Sequence, residues 1–344
     1  MSDIEIRIAG RAGRITLNRP AALNALSEPM CAALDAALVG WQDDPAVELV
    51  VIDAAGPRAF CAGGDIAELY ARGIAGDHAH GQAFWRDEYR MNARIAEYPK
   101  PVVTLMQGFT MGGGVGVGCH ASHRIVGDST QIAMPECGIG LVPDVGGSFL
   151  LARGPGRMGA WLGTTGTRMG PGDAIYAGFA DVFVPEADWP ALTAALEAGG
   201  IAALDGLVRP APAGRLPGLQ AEIDRSFAAP TLAEIIAGLA ADSSDFAAET
   251  RKALARVSPL AAACALEMQQ RLGPAPDLRR ALELEYRFTH RAQAMGDFLE
   301  GIRAAIIDKD RRPRWRHADV AAVTPAEIAA MLAPLGPEGL SFAD

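Results

Sequence analysis

Residues 100–147 read KPVVTLMQGFTMGGGVGVGCHASHRIVGDSTQIAMPECGIGLVPDVGG, and this stretch decides the fold. It opens with a β-branched apolar run at 101–107, then Gly108 and the triplet Gly112-Gly113-Gly114. Glu136 and Asp144 follow, eight positions apart, each directly after a proline. Consecutive glycines beyond a buried strand let another atom approach the backbone and let a helix begin without side-chain interference. The N–H groups at a helix start are unpaired and point outward, which suits a place where negative charge develops. Donors of that kind with acids nearby suggest acyl chemistry.

Outward from this stretch, strands and helices alternate. Residues 4–9 (IEIRIA) and 13–18 (GRITLN) predict two short antiparallel strands turning near Gly10. Ser27 is a good N-cap for a helix in which Met30, Leu34, Ala37, Leu38 and Trp41 recur at helical spacing. Residues 47–53 form a near-continuous apolar strand, as expected when both faces are covered. A loop with Gly63-Gly64 and a helix over about 77–97 lead to the strand at 102–107. Short strands are expected at 124–126 and 131–134. This order predicts an α/β sheet rather than a helical bundle. Beyond about residue 145 helices dominate, with a Pro/Gly-rich break at 209–218. The expected division is a core domain over 1–208 and a helical region over 209–344.

With 344 residues, 50% of them hydrophobic and 21% charged, the chain can fill a substantial core. A net charge of −10 argues against nucleic acid or an anionic membrane as the main partner. Cys31, Cys61, Cys119, Cys137 and Cys264 form no CxxC pair, so they read as reduced thiols serving as small core hydrophobes. No charged residue occurs between Lys100 and Arg124, but six glycines, a proline and two histidines interrupt that span. A buried strand, a turn and a short helix explain it better than a membrane crossing. The N-terminus, MSDIEIRIAG, carries acids and no apolar run. The expectation is a soluble, cytoplasmic protein without a secretory signal.

Phe60-Cys61-Ala62-Gly63-Gly64-Asp65-Ile66 couples adjacent glycines to an acid placed to cap the next helix. By itself it reads as a tight turn plus an N-cap. Gly112–Gly114 by itself reads as close helix–sheet packing. Together they say more. A thioester carbonyl becoming an oxyanion or enolate needs two fixed N–H donors, and two separate glycine turns can supply one each. Glu136 sits in MPECGI, an apolar setting that tends to raise a carboxyl pKa and suits a proton shuttle. Asp144, in LVPDVGG, can cap a helix over 145–151 and can also act as an acid.

Rival chemistries fail on spacing. The GxGxxA match at 116–121 leaves no room for a dinucleotide-binding unit. No GxSxG, Walker loop, HExxH or paired CxxC occurs, and His120 and His123 lack a matched ligand partner. No metal and no cofactor are expected. Lys309, Arg311, Arg312 and Arg314 stand out in an acidic chain, either as a solvated tail or as a phosphate clamp.

These segments resemble the crotonase (enoyl-CoA hydratase/isomerase) superfamily. Asn18-Arg19-Pro20 with Leu23-Asn24-Ala25-Leu26, AFCAGGDI at 59–66 and KPVVTLMQGFTMGGG at 100–114 look like its motifs, in its order. TMGGGVG at 110–116, AMPECGIGLVPDVGG at 133–147 and IDKDRRPRW at 307–315 are similar to its 3-hydroxyisobutyryl-CoA hydrolase branch. The resemblance implies an α/β, crotonase-like (ClpP/crotonase) spiral of ββα units with a helical C-terminal region. It implies a CoA thioester as substrate, with oxyanion-hole N–H groups at Gly64 and Gly113 and catalytic carboxylates at Glu136 and Asp144. Substrate contacts would fall at Glu88, Asn24, Ala25, Asp65, Ile66 and Lys309.

Hydratases of the family carry a glutamate three positions after the middle glycine of the triplet, where this chain has Gly116. One of the two acids that hydration needs is therefore missing. The resulting reading is hydrolysis of a short branched 3-hydroxyacyl-CoA, foremost 3-hydroxyisobutyryl-CoA of valine degradation. Hydration or isomerisation with Glu136 as sole base is the alternative, and a non-catalytic acyl-CoA-binding protein is the alternative of another class. The family also implies a homo-oligomer, a trimer or a dimer of trimers, unless the helical region packs back on its own chain as a monomer.

Overall fold

The expected strands form two sheets in a computed structural model, which describes residues 2–342. Chain order gives β1 (Ile4–Ala9), β2 (Ala12–Leu17), β3 (Leu49–Ala54), β4 (Ala59–Cys61) and β5 (Val102–Met106). It continues with β6 (Phe109–Met111), β7 (His123–Val126), β8 (Gln131–Ala133) and β9 (Val182–Phe183). The larger sheet runs β1-β2-β3-β5-β7-β9, antiparallel only between β1 and β2, and the smaller runs β4-β6-β8, all parallel. Each consecutive pair, β3 with β4, β5 with β6 and β7 with β8, splits between the sheets, giving one strand to each. That repeat is the spiral of strand pairs.

Two units divide the chain. The first takes the chain up to Gly64, Asp87–Ala133 and Arg168–Pro217, and holds both sheets. Its core packs Leu49, Val51, Val103, Leu105 and Ile125 against Leu192 and Leu196 of the helix Trp189–Gly199. β5 is buried along its whole length, as the unbroken apolar run implies. β4, β6 and β9 were not expected from the sequence. At two or three residues each, they are too short for a polarity alternation to show.

The second unit takes Asp65–Arg86, Met134–Thr167 and the chain from Gly218. Four helices, Leu232–Ala241, Asp245–Leu254, Pro259–Leu272 and Leu278–Met295, follow the apolar periodicity. Each starts at a side-chain cap (Thr231, Ser244, Ser258 and Asp277) that accepts a first-turn N–H. The basic tail is folded, not loose. Arg303 binds Glu300 at 2.8 Å, Asp308 at 2.6 Å and Asp310 at 2.8 Å, and Lys309 and Arg311 adopt positive φ.

All five cysteines are free and buried, and burial pushes the Cys61 and Cys119 thiols up to about 12. They are unreactive core residues, as the sequence predicts. Among the described residues no helix is long and apolar enough to cross a membrane.

Candidate active site

In the first unit, the parallel pairing of β4 with β6 sets their following loops side by side. One loop carries Gly63-Gly64 and the other Gly112-Gly113. The first is pinned from two sides. Ala62 N–H donates to Leu23 at 3.0 Å and Leu26 N–H donates to Gly63 at 2.9 Å. Asn24, at φ 54, donates its amide to the carbonyls of Ala55 (3.0 Å) and Ala59 (2.8 Å) and accepts the Arg19 N–H at 2.8 Å. Its side chain is thus spent on holding the loop. Ala25, half-buried, turns its carbonyl to Arg19 at 2.8 Å.

Gly112 takes φ 49 and ψ −123, a conformation open only to glycine, and the helix Gly113–Gly118 begins directly after it. A methyl placed on Gly113 would lie 2.8 Å from Glu88 Oε1, 3.2 Å from Leu26 Cδ1 and 3.4 Å from the Gly64 nitrogen. Gly113, Gly64 and Glu88 therefore meet at one point. Glu88 is only 2% exposed. Among the described residues no main-chain hydrogen bond engages the N–H of Gly64 or Gly113, and at the first position of a helix none is available. Gly114 does what the plainer reading of the triplet supposes: a methyl there would stand 2.1 Å from the Cys61 carbonyl oxygen. Gly116 is buried within this helix and presents no side chain.

In the second unit, Glu136 opens a single 3₁₀ turn, Glu136–Ile139, and Asp144 sits in the loop beyond it; both are buried. Burial first, and the charge of Asp144 second, hold the Glu136 carboxyl well above the usual carboxylate range. Its Oε2 is buried without a hydrogen-bond partner among the described residues. Asp144 is not a helix cap. Val145 at φ 54 and Gly146 at φ 78 turn the chain, and the helix Gly147–Ala152 starts only after them.

A third carboxylate that sequence reasoning missed takes over that helix start. Glu285, fully buried on Leu278–Met295, accepts the N–H of Gly146 at 2.8 Å, the N–H of Ser148 at 2.9 Å and the Ser148 hydroxyl. Burial still pushes its carboxyl up to about 8, against those donors. The signal was present in the sequence. Leu278, Ala281, Leu282, Glu285, Phe288 and Ala292 form one helical stripe, and an acid on an apolar stripe is out of place.

Asp65, Ile66 and Lys309, also expected to contact substrate, belong to the second unit. Asp65 stands at the N-cap of the helix Ile66–Ile74 without a side-chain cap bond, and Ile66 is half-buried. Lys309 is exposed in the folded tail. Among the described residues no group of three His, Cys, Asp or Glu side chains is placed to hold a metal ion.

Comparisons with known proteins agree with this architecture. The enoyl-CoA hydratase/isomerase family matches residues 12–332. A Xenopus tropicalis protein named "3-hydroxyisobutyryl-CoA hydrolase, mitochondrial" is 38% identical, covering 97% of this chain and 89% of its own. The Homo sapiens protein of that name is 36% identical, covering 99% and 91%. Among solved structures, an enoyl-CoA hydratase from Rhodobacter sphaeroides superposes with TM-score 0.95 at 69% identity, covering 99% of this chain and all of its own. A carnitinyl-CoA dehydratase from Mycobacterium thermoresistibile gives 0.95 at 41% identity, covering 99% of both.

The mitochondrial names of these relatives overturn the expectation of a cytoplasmic protein. That expectation rested on unpaired cysteines, which mark a reducing compartment without saying which one. The matched family, the relatives and the superposed structures together place the chain in the enoyl-CoA hydratase/isomerase family, with the crotonase fold.

Proposed function

We propose that the protein hydrolyses an acyl-CoA thioester, and that 3-hydroxyisobutyryl-CoA is its substrate. The observation that carries this reading is the buried Glu136–Asp144 pair in a chain whose glycine helix offers Gly116 in place of an acid. Hydration of a double bond needs two proton-transfer groups beside that helix. Hydrolysis needs one base, one proton donor and an oxyanion cradle.

In this mechanism Glu136 takes a proton from water as the oxygen attacks the thioester carbonyl carbon. A carboxyl raised by burial is a stronger base than an exposed one, and its unpartnered Oε2 is available for that proton. The carbonyl π electrons move to oxygen, and the N–H groups of Gly64 and Gly113 stabilise the resulting oxyanion. Collapse of the intermediate breaks the carbon–sulfur bond, the electron pair leaves with the CoA sulfur, and a proton passed from the acid pair neutralises it. Asp144 orients the water or the substrate hydroxyl. Glu88, beside Gly113, contacts the acyl group, and Lys309 meets the CoA phosphates.

A second reading is favoured by the name of the 69%-identical structure, an enoyl-CoA hydratase. In that case Glu136 alone would move both protons. Thiol release by the wild type and by Glu136→Gln from a panel of short 3-hydroxyacyl-CoA esters tests the proposal. Rapid release by the wild type, lost in the variant while CoA esters still bind, supports it. Near-normal turnover by Glu136→Gln refutes the role of that residue.

A further inference from the structure

β1 is the outermost strand of the larger sheet and, among the described residues, pairs on one side only. The pairing with β2 fixes which main-chain groups face outward. Asn18 N–H donates to the Asp3 carbonyl at 2.8 Å, and the register matches Ile4 with Leu17 and Ile6 with Ile15. In an antiparallel ladder, bonded and non-bonded pairs alternate. Asp3, Glu5, Arg7 and Ala9 therefore turn their N–H and C=O to β2, and Ile4, Ile6 and Ile8 turn theirs outward. The other edge of β2 agrees, since Leu17 gives its carbonyl to Ala55 at 2.8 Å on the β3 side.

The side chains of this edge alternate in a second way. Ile4, Ile6 and Ile8 lie on the face that continues to buried Ile15 and Leu17 of β2, yet Ile6 is 39% and Ile8 46% exposed. Glu5 and Arg7 lie on the opposite face and are exposed. Arg7 has no ion-pair partner among the described residues, and the Glu5 carboxylate accepts only the Asn18 side-chain amide, at 3.1 Å. Exposed edges are ordinarily blunted by charged side chains, lysine above all, by proline or by a bulge. This edge has no lysine, proline or bulge, and its two charges, Glu5 and Arg7, are of opposite sign.

We propose that β1 pairs antiparallel with β1 of a second copy of this chain, about a two-fold axis at Ile6. In that register Ile6 faces Ile6, and Ile4 faces Ile8 of the other copy. Each of those pairs is a hydrogen-bonded pair, because these three residues carry the outward N–H and C=O groups. Glu5 then stands opposite Arg7 of the other copy, twice, at the closely spaced non-bonded positions. No other registration about a two-fold axis satisfies hydrogen-bond parity, matches the isoleucines and pairs both charges together. An interface in which one patch complements itself is the form a two-fold dimer requires. The two six-stranded sheets become one continuous sheet, and the exposed isoleucines gain a shared apolar surface.

Disulfide trapping and a charge-swap cycle test the pairing. Glu5→Cys chains mixed with Arg7→Cys chains should cross-link rapidly through the non-bonded pair, whose Cα spacing fits a disulfide. Either variant alone should not, because the native cysteines are buried. In sedimentation, Ile6→Lys should halve the assembled mass, whatever other interfaces exist, since it sets two ammonium groups against each other. Ile6 is 39% exposed on an edge strand, so a lysine side chain there can reach solvent and the fold is kept. Glu5→Arg should weaken association about tenfold, and adding Arg7→Glu should restore it. Assembly indifferent to Ile6→Lys, a monomer at every concentration, or β1 cross-linking only to a different protein overturns the proposal.

Discussion

The carboxylate of Glu285 accepts the main-chain N–H of Ser148 at 2.9 Å, across 137 positions of sequence. With its bonds to Gly146 and the Ser148 hydroxyl, this contact fixes the turn that follows Asp144. Val145 in that turn is a β-branched residue at φ 54, a conformation that persists only where neighbours over-determine it. Glu285 is thus a positioning residue for the acid pair. Glu285→Ala would leave the buried N–H groups of Gly146 and Ser148 without acceptors, at about 1–3 kcal/mol each. The expected result in urea unfolding is a loss of about 2–6 kcal/mol, with kcat falling more than KM changes.

The same residue sets a pH dependence. Its carboxyl is raised from 4.5 in the unfolded chain to about 8 in the folded one, so the folded state holds the proton more tightly. Stability from this group is fully present below about pH 4.5 and is lost as pH rises through about 8. The slope in that window is about 1.4 kcal/mol per pH unit for one proton. Glu136, raised in the same direction, adds to it. Unfolding free energies measured across that window should fall with pH in the wild type and fall less steeply in Glu285→Gln.

Replacing the proposed base should separate binding from chemistry. Glu136→Gln and Asp144→Asn are each expected to lower kcat by at least about 100-fold while acyl-CoA affinity stays within a few-fold. Because a base must be ionised, the acid limb of the wild-type pH–rate profile should lie well above the ordinary carboxylate range. Stopped-flow thiol release and calorimetric titration with a CoA ester check both statements.

The glycine cradle can be tested by a single methyl. Gly113→Ala sets a carbon 2.8 Å from Glu88 Oε1 and 3.4 Å from the Gly64 nitrogen. Loss of the cradle geometry should cost about 100-fold to 1,000-fold in kcat. Gly40→Ala is the control, since it lies in the helix Glu28–Trp41 with nothing within 4 Å of the added methyl. It should leave the rate unchanged and stabilise the fold by up to about 1 kcal/mol.

Much of this was legible in the sequence because it rests on local pattern. The antiparallel start, the buried run of β5, the glycine helix and the capped C-terminal helices all follow from residues near one another in the chain. The failures are non-local or too short to carry a pattern. β4 and β6 hold the two glycine loops side by side, yet each has only three residues. Asp144 has the sequence of a helix cap, but positive φ at Val145 and Gly146 delays the helix and hands its first turn to Glu285. Asn24 uses its amide to hold the 55–59 loop through bonds spanning 31 and 35 positions, which no local pattern shows.

In the proposed reaction water cuts the carbon–sulfur bond of a CoA ester. The most direct measurement mixes 3-hydroxyisobutyryl-CoA and crotonyl-CoA with the enzyme in one vessel and follows all products by mass spectrometry. One free CoA and one 3-hydroxyisobutyrate per ester consumed are expected, with crotonyl-CoA left unhydrated. Hydrated crotonyl-CoA beside an intact 3-hydroxyisobutyryl thioester would contradict it.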